Sequence, residues 1–133
     1  MSDVQIDGLA GFDMDANLEA GDGIKVQYSD ELSFTIRRAG GANRAYGQLL
    51  SAKLRPLQRR IDMGMLPDEV ANKVLAEVYA KTIVQGWTGI KSRGEDLPFS
   101  IENAIALFTS QPEVFRTIQA EATSAANFRK QAA

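Results

Sequence analysis

The sequence contains no cysteine and no histidine in its 133 residues. The chain therefore cannot form a disulfide, bind zinc through thiolate or imidazole ligands, or use an imidazole as a catalytic base. Its glycine-rich stretches, Gly-Leu-Ala-Gly and Ala-Gly-Gly-Ala-Asn, lack the spacing of phosphate-binding loops. These absences predict no catalytic residue, no metal site and no cofactor, and they favour a protein that is not an enzyme.

The chain also has no long apolar run. No stretch approaches the roughly 20 apolar residues that a membrane-spanning helix requires. The first residues are acidic and glycine-rich, without the basic and apolar regions of a signal peptide. We therefore expect an intracellular protein that does not associate with membranes.

Charge is unevenly distributed, although the net charge is only −2. Residues 1–32 contain eight acidic residues and a single lysine. Residues 37–60 contain no acidic residue and seven basic ones: Arg37, Arg38, Arg44, Lys53, Arg55, Arg59 and Arg60. This asymmetry is typical either of an acidic tail beside a nucleic-acid site or of two segments packed against each other. The second interpretation is favoured, because a net acidic protein repels phosphates.

The N-terminal third is predicted to contain an arm and a hairpin. Residues 1–22 have scattered apolar positions without a period, which predicts an extended acidic arm that docks through one or two side chains. Residues 23–38 alternate apolar and polar positions in two runs, which predicts a β-hairpin. The apolar positions of the two runs are Ile24, Val26 and Tyr28, then Leu32, Phe34 and Ile36.

The rest of the chain has helical periodicity. A basic helix is predicted over 43–62, with Asn43 as its N-cap and a break at Pro56. A central helix follows Pro67 and continues towards Trp87. We thus expect a mainly α fold: one small domain over 23–133, with about four helices, the hairpin and the arm. The apolar face of the basic helix consists of Tyr46, Leu49, Leu50, Leu54, Leu57 and Ile61.

Two further helices are predicted after the glycines that flank Trp87. Ser100 is placed to cap a short helix over 101–108. Residues 110–113, Ser-Gln-Pro-Glu, resemble a capping box that opens the last helix, which is expected to fray after Phe128. Residues 91–96 are expected to form an exposed polar turn, and Trp87 is expected to be a buried packing corner rather than part of a ligand pocket.

One alternative for the basic helix is DNA binding. A helix, a short turn and a second helix superficially suggest a helix-turn-helix motif. The basic residues precede the turn, however, and the second helix carries an apolar stripe where base-reading polar residues would be required. Nucleic-acid binding is therefore the less favoured interpretation.

The order of motifs along the chain resembles a known family. In the run VYAKTIVQGWTGIKSRGEDLPFSIENAIALFTSQPEVFRTIQAEA, a Gly-Trp step and a polar turn are followed by Leu-Pro-Phe-Ser-x-Glu-Asn and Pro-Glu-x-Phe. Upstream, IRRAGGANRAYGQLLSAKLRP contains an Asn-Arg-x-Tyr element that leads into the basic helix. Together these motifs resemble the tail assembly chaperones of long-tailed bacteriophages and phage-like particles. The resemblance spans roughly residues 26–128 and excludes the acidic arm.

This resemblance implies a non-enzymatic chaperone that acts in the host bacterial cytoplasm. Such proteins bind the tape-measure protein, keep it soluble while tail tube subunits polymerise around it, and are absent from the mature virion. The tail tube protein is a second expected partner, and self-association into a homo-oligomer is a third expectation. The alternatives from other classes are a structural virion or tail subunit and a nucleic-acid-binding regulator that uses residues 43–62.

A chaperone of this kind requires an exposed amphipathic surface for helical client segments. The predicted contacts lie on the basic helix and at the tryptophan corner, and core packing is an equal alternative for the apolar members. The predicted partner-binding residues are Tyr46, Leu50, Arg55, Arg59, Trp87 and Phe99.

Overall fold

A computed structural model describes residues 9–130 and confirms the predicted hairpin. Strand β1 (Ile24–Gln27) pairs antiparallel with strand β2 (Ser33–Ile36). The alternation of apolar and polar residues places Val26 and Phe34 opposite each other on the buried face. The hairpin is part of a larger sheet, because β2 has a second neighbour.

That second neighbour, strand β3 (Val84–Thr88), corrects the predicted extent of the central helix. Its residues were expected to end that helix, yet they pair antiparallel with β2, and Trp87 lies opposite Phe34. A segment of five residues is too short for its period to distinguish helix from strand, and its valine, tryptophan and threonine fit a pleated surface. The fold is therefore mixed α/β, with a three-stranded sheet in the order β1-β2-β3, rather than mainly α.

The helices otherwise follow the predicted pattern. Pro56 splits the basic helix, as predicted, into α2 (Arg44–Leu54), a 3-10 turn (Arg55–Leu57) and α3 (Gln58–Asp62). Helix α4 (Asp68–Thr82) follows and is central, because its C-terminal half packs into the core. Its buried residues are Ala76, Val78, Tyr79, Ala80 and Thr82.

Asn43 does not cap α2 through its side chain, which corrects the prediction for this residue. Its side-chain amide is buried and donates hydrogen bonds to the carbonyls of Arg38 and Thr82, at 2.9 and 3.0 Å. Asn43 therefore connects the start of α2 to the end of α4. The two hydrogen bonds also satisfy its amide group, which is buried away from water.

The C-terminal region contains two helices, α5 (Ile101–Ser110) and α6 (Pro112–Thr123). Ser100 caps α5, as predicted, by accepting a hydrogen bond from the Asn103 amide at 3.0 Å. The predicted capping box at 110–113 is wrong, because the Ser110 hydroxyl donates back to the Ala106 carbonyl and no side chain caps α6. The chain after α6 does not fray at once, since a 3-10 turn (Ala125–Phe128) buries Phe128 completely.

The predicted polar turn is exposed and forms a small hairpin. Strands β4 (Lys91–Ser92) and β5 (Glu95–Asp96) pair antiparallel, and all four of their residues are exposed. Arg93 and Gly94 connect them with φ angles of 53° and 82°, as two-residue hairpin turns require.

The N-terminal segment differs from the predicted extended arm. Residues 1–8 lie outside the described part of the chain, but Ala16–Ala20 form a short helix, α1, capped by the Asp15 carboxylate. Glu19 on α1 is only 4% exposed and forms an ion pair with Arg38. Gly41 adjoins this pair with φ at 55°, and a Cβ there would overlap the Glu19 carboxylate. Among residues 9–130 this is the one ion pair between the acidic and basic segments.

The Glu19–Arg38 pair gives a first prediction. Replacing Arg38 by Met leaves a buried carboxylate without its cation, so we expect the free energy of unfolding to fall by about 3 kcal/mol. Urea denaturation followed by far-UV circular dichroism measures this change. Lys25→Met is the matched control, because Lys25 is exposed on β1 and should cost little. Equal denaturation midpoints for the two variants would show that the pair does not hold α1 on the domain.

Candidate partner-binding surface

Residues 44–66, here called the α2–α3 segment, have no fully buried residue. A helix of a soluble domain normally buries its apolar stripe against the core. In this segment most of the large apolar side chains are half-buried, because α2 packs on α4 while α3 contacts little beyond the adjoining 3-10 turn. The half-buried apolar side chains are Tyr46, Leu49, Leu50, Leu54, Leu57, Ile61 and Leu66.

Two methionines increase the apolar character of this surface. Met63 and Met65 flank Gly64 in the loop after α3 and are 61% and 64% exposed. They are the most exposed of the large apolar side chains in residues 9–130. Unbranched methionine adapts to partner surfaces of different shape. Neither residue was predicted from the sequence to contact a partner, because their only signal was a position in a loop between two helices.

The polar side of the α2–α3 segment is basic. Arg44, Arg55, Arg59 and Arg60 are exposed, and none of them forms an ion pair within the described chain. The single acidic residue of the segment, Asp62, accepts a hydrogen bond from the Gln58 side chain at 2.8 Å. The surface thus combines apolar side chains with arginines that have no acidic partner, which suits a partner carrying acidic groups.

A charged network fixes α2 on α4. Glu77 on α4 contacts the ammonium group of Lys53 from α2, and Lys81 lies 3.5 Å from the same carboxylate oxygen. The hydrogen bond from Lys53 is the main cause that lowers the pKa of Glu77, and the charges of both lysines add to it against the opposing effect of burial. Lys53 is therefore neutralised locally, while the arginines further along the segment are not.

Of the predicted contact residues, Tyr46 is the least available to a partner. Its ring packs edge-to-face on Tyr79 at 5.8 Å, and Tyr79 continues in the same way to Phe115 at 5.3 Å. Burial raises the pKa of Tyr79 above its usual range, with a smaller effect from Tyr46. Tyr46 thus belongs to the packing between α2 and the core, whereas Leu50 is half-buried and Arg55 and Arg59 are exposed on the same segment.

Trp87 and Phe99 form a separate aromatic cluster. The Trp87 ring packs edge-to-face on Phe34 at 6.2 Å and on Phe99 at 5.1 Å. Its Nε1–H donates a hydrogen bond to the Leu97 carbonyl at 2.8 Å. Trp87 is half-buried and lies on β3, not at the end of a helix. These contacts account for the ring as a packing corner between the sheet and the start of α5, and no aromatic contact in residues 9–130 joins this cluster to Tyr46.

A cleft lies between α4, α5 and α6 and was not predicted from the sequence. Its volume is about 500 Å³, and the stacked rings of Phe108 and Phe115, 4.8 Å apart, lie along it. Its charged lining is of mixed sign, since Glu69, Lys73 and Arg116 all contribute. Arg116 is already paired with Glu113, so the cleft offers less unpaired charge than the α2–α3 segment.

Residues 9–130 contain no group of three or more acidic residues close enough to hold a metal ion. Within the same residues, no helix has both the length and the apolarity that crossing a membrane requires.

Comparison with known proteins places the chain in a phage-derived family. The model of the YdaY prophage protein family matches residues 41–133, and the chain belongs to that family. No curated protein and no solved structure matches the chain. The phage relationship expected from the motifs is thereby confirmed at the level of a prophage family, while the role in tail assembly stays a prediction.

The charged network gives a prediction about pH. Because the pKa of Glu77 is lowered in the folded state, its stabilising effect is present above about pH 4.5 and is lost as the pH falls through the lowered value. Glu77→Gln should reduce the free energy of unfolding by about 0.5–1 kcal/mol at pH 7, and the difference from wild type should vanish in acid. Urea denaturation at several pH values between 2 and 7 measures this difference as a shift in the midpoint urea concentration. Glu113→Gln is the control, since its pair with Arg116 is exposed; equal effects of the two variants would contradict the network.

The tryptophan corner gives a further prediction. Trp87→Phe keeps a ring against Phe34 and Phe99 but loses the donor to Leu97, which should cost about 1 kcal/mol. Trp87→Ala also removes the ring, which should cost about 3 kcal/mol. Denaturation followed by far-UV circular dichroism separates the two effects. A melting temperature of the alanine variant equal to that of wild type would make Trp87 a candidate for partner contact instead.

Proposed function

We propose that the chain is a tail assembly chaperone that binds the tape-measure protein and keeps it soluble while the tail tube assembles. It acts in the host cytoplasm, catalyses no reaction, and is absent from the mature virion. Membership of a prophage family and the motif resemblance over residues 26–128 support this proposal. The α2–α3 segment is the part of the molecule that carries the proposal.

The main support is that the apolar side chains of residues 44–66 are only partly covered, whereas the buried core cluster is formed entirely by residues outside this segment. A client that is long and helical exposes apolar stripes until the tube closes around it, and such stripes aggregate. A small domain with an amphipathic helical surface can cover a stripe reversibly. The exposed arginines beside the row keep the complex hydrated and add charge selectivity.

Nucleic-acid binding is the second candidate, and the exposed arginines favour it. Four arginines of one segment have no acidic partner within residues 9–130 and could contact phosphates. The net charge of −2 and the apolar row among the arginines weigh against this candidate. A mobility-shift assay with duplex DNA at two salt concentrations distinguishes it, because phosphate contacts make affinity fall steeply with salt.

The proposed function predicts a gain in client solubility. When the cognate tape-measure protein is co-expressed with this chain, its soluble fraction should rise several-fold over co-expression with an unrelated small helical protein. Centrifugation of the lysate followed by quantitative gel analysis measures the fraction. Purified particles provide the second readout, because a chaperone should be missing from them. If the client stays insoluble and this chain is found in mature particles, the chaperone proposal is wrong and the chain is a structural tail subunit.

A further inference from the structure

We infer that the α2–α3 segment binds one kind of partner element: an amphipathic helix whose apolar stripe is flanked by acidic residues. The inference rests on the proposed function only for the identity of the partner protein. The chemistry of the docking surface follows from its apolar row, its exposed methionines and its arginines, which form no ion pair within residues 9–130.

The apolar row sets the shape of the partner. Leu50, Leu54, Leu57 and Ile61 are spaced by four, three and four residues, so they follow one face through the bend at Pro56. All four are half-buried, which leaves part of each side chain open to solvent. A second helix packed along this row would cover the open part by the ridge-and-groove contacts that join helices.

The methionines extend the row at its far end. Met63 and Met65 follow α3 directly and are about two-thirds exposed, at 61% and 64%. More than half of each side chain is therefore open to solvent. A partner helix that is longer than the row would reach them, and their flexible side chains can adapt to its stripe.

The arginines set the charge of the partner. Arg55 and Arg59 are four residues apart, about one helical turn, and Arg60 adjoins them. A guanidinium group pairs with a carboxylate in a planar, bidentate geometry, so glutamates one turn apart on a partner helix would match Arg55 and Arg59. A basic helix would be rejected, since it would place like charges together.

A protein helix fits this surface better than a nucleic acid. A phosphate backbone would not bury the apolar row and the methionines. An apolar stripe would remove their surface from water, which favours binding. The acidic remainder of the molecule, which gives the chain its net charge of −2, also opposes binding of a polyanion. The charge complementarity is therefore local and directed at an acidic helical face.

Labelled synthetic peptides of about 20 residues test the inference, since that length spans a helix of about 30 Å. The first has a leucine stripe flanked by glutamates, the second the same stripe flanked by lysines, and the third the same glutamates with serine replacing leucine. Fluorescence anisotropy with the full-length protein should show the first peptide binding at least about tenfold more tightly than either of the others. Equal affinities for the first two peptides, or for the first and third, would overturn the inference.

Charge-reversal variants locate the site. Arg55→Glu/Arg59→Glu should weaken binding of the first peptide by about tenfold or more and improve binding of the lysine peptide. Lys25→Glu/Lys91→Glu is the matched control, because it changes the net charge equally at exposed positions outside the segment. Loss of affinity in both variants to the same extent would show a general charge effect and reject the site. The substituted residues are exposed, so circular dichroism should show wild-type folding for both variants.

Substitution of the methionines tests the apolar half of the surface. Met63→Ser/Met65→Ser should weaken binding of the first peptide several-fold. Unchanged affinity would show that the loop after α3 is not part of the docking surface.

Tighter binding of a 20-base-pair duplex than of the first peptide would overturn the inference in favour of nucleic acid. If the peptides behave as expected but client solubility does not rise, the docking surface stands and the chaperone function fails. If solubility rises equally with wild type and Arg55→Glu/Arg59→Glu, the function stands and this surface is wrong.

Discussion

The pairing of β2 with β3 is the contact on which the rest of the fold depends. Strand β2 is the middle strand of the sheet, and its Phe34 and Ile36 are completely buried. Through β3 it joins the N-terminal hairpin to the end of α4, about 50 residues later in the sequence. Trp87 then continues the contact to Phe99 before α5. Because a two-stranded hairpin is marginal alone, this long-range pairing makes the hairpin part of a single core.

That core leaves one part of the chain out. The sheet, α4, α5 and α6 supply almost all the buried side chains, whereas residues 44–66 supply none. Their attachment consists of the packing of α2 on α4, including Tyr46 on Tyr79, and the contact of Lys53 with Glu77. The domain therefore combines a well-packed body with a segment whose apolar and basic side chains are partly or largely open to solvent.

The region matched by the family model includes the α2–α3 segment but only part of the packed core. It begins at residue 41, just before α2, and so includes the whole α2–α3 segment and all the later helices. It also includes β3, although the strand that pairs with β3 lies before the matched region. The candidate surface is thus part of the region that defines the family, while α1, β1 and β2 complete the core from outside it.

The sequence by itself determined the features that depend on local chemistry. Alternating residues predicted the hairpin, Pro56 predicted the break between α2 and α3, and Ser100 predicted the cap of α5. Each follows from backbone geometry or from a hydrogen bond within a few residues. The basic character of residues 37–60 was equally readable, because charge requires no knowledge of the fold.

Only the tertiary structure decided which apolar residues are covered. Residues 84–88 became a strand because β2 was available to pair with them, and a periodicity read within a short window contains no information about so distant a partner. Glu19 was predicted to belong to an extended arm, yet it is buried and forms an ion pair with Arg38. Likewise Tyr46 and Leu50 share a helical face, but Tyr46 belongs to the side chains that pack on the buried core, through Tyr79, whereas Leu50 does not. Burial depends on contacts between residues that are far apart in sequence, and those contacts exist only in the folded chain.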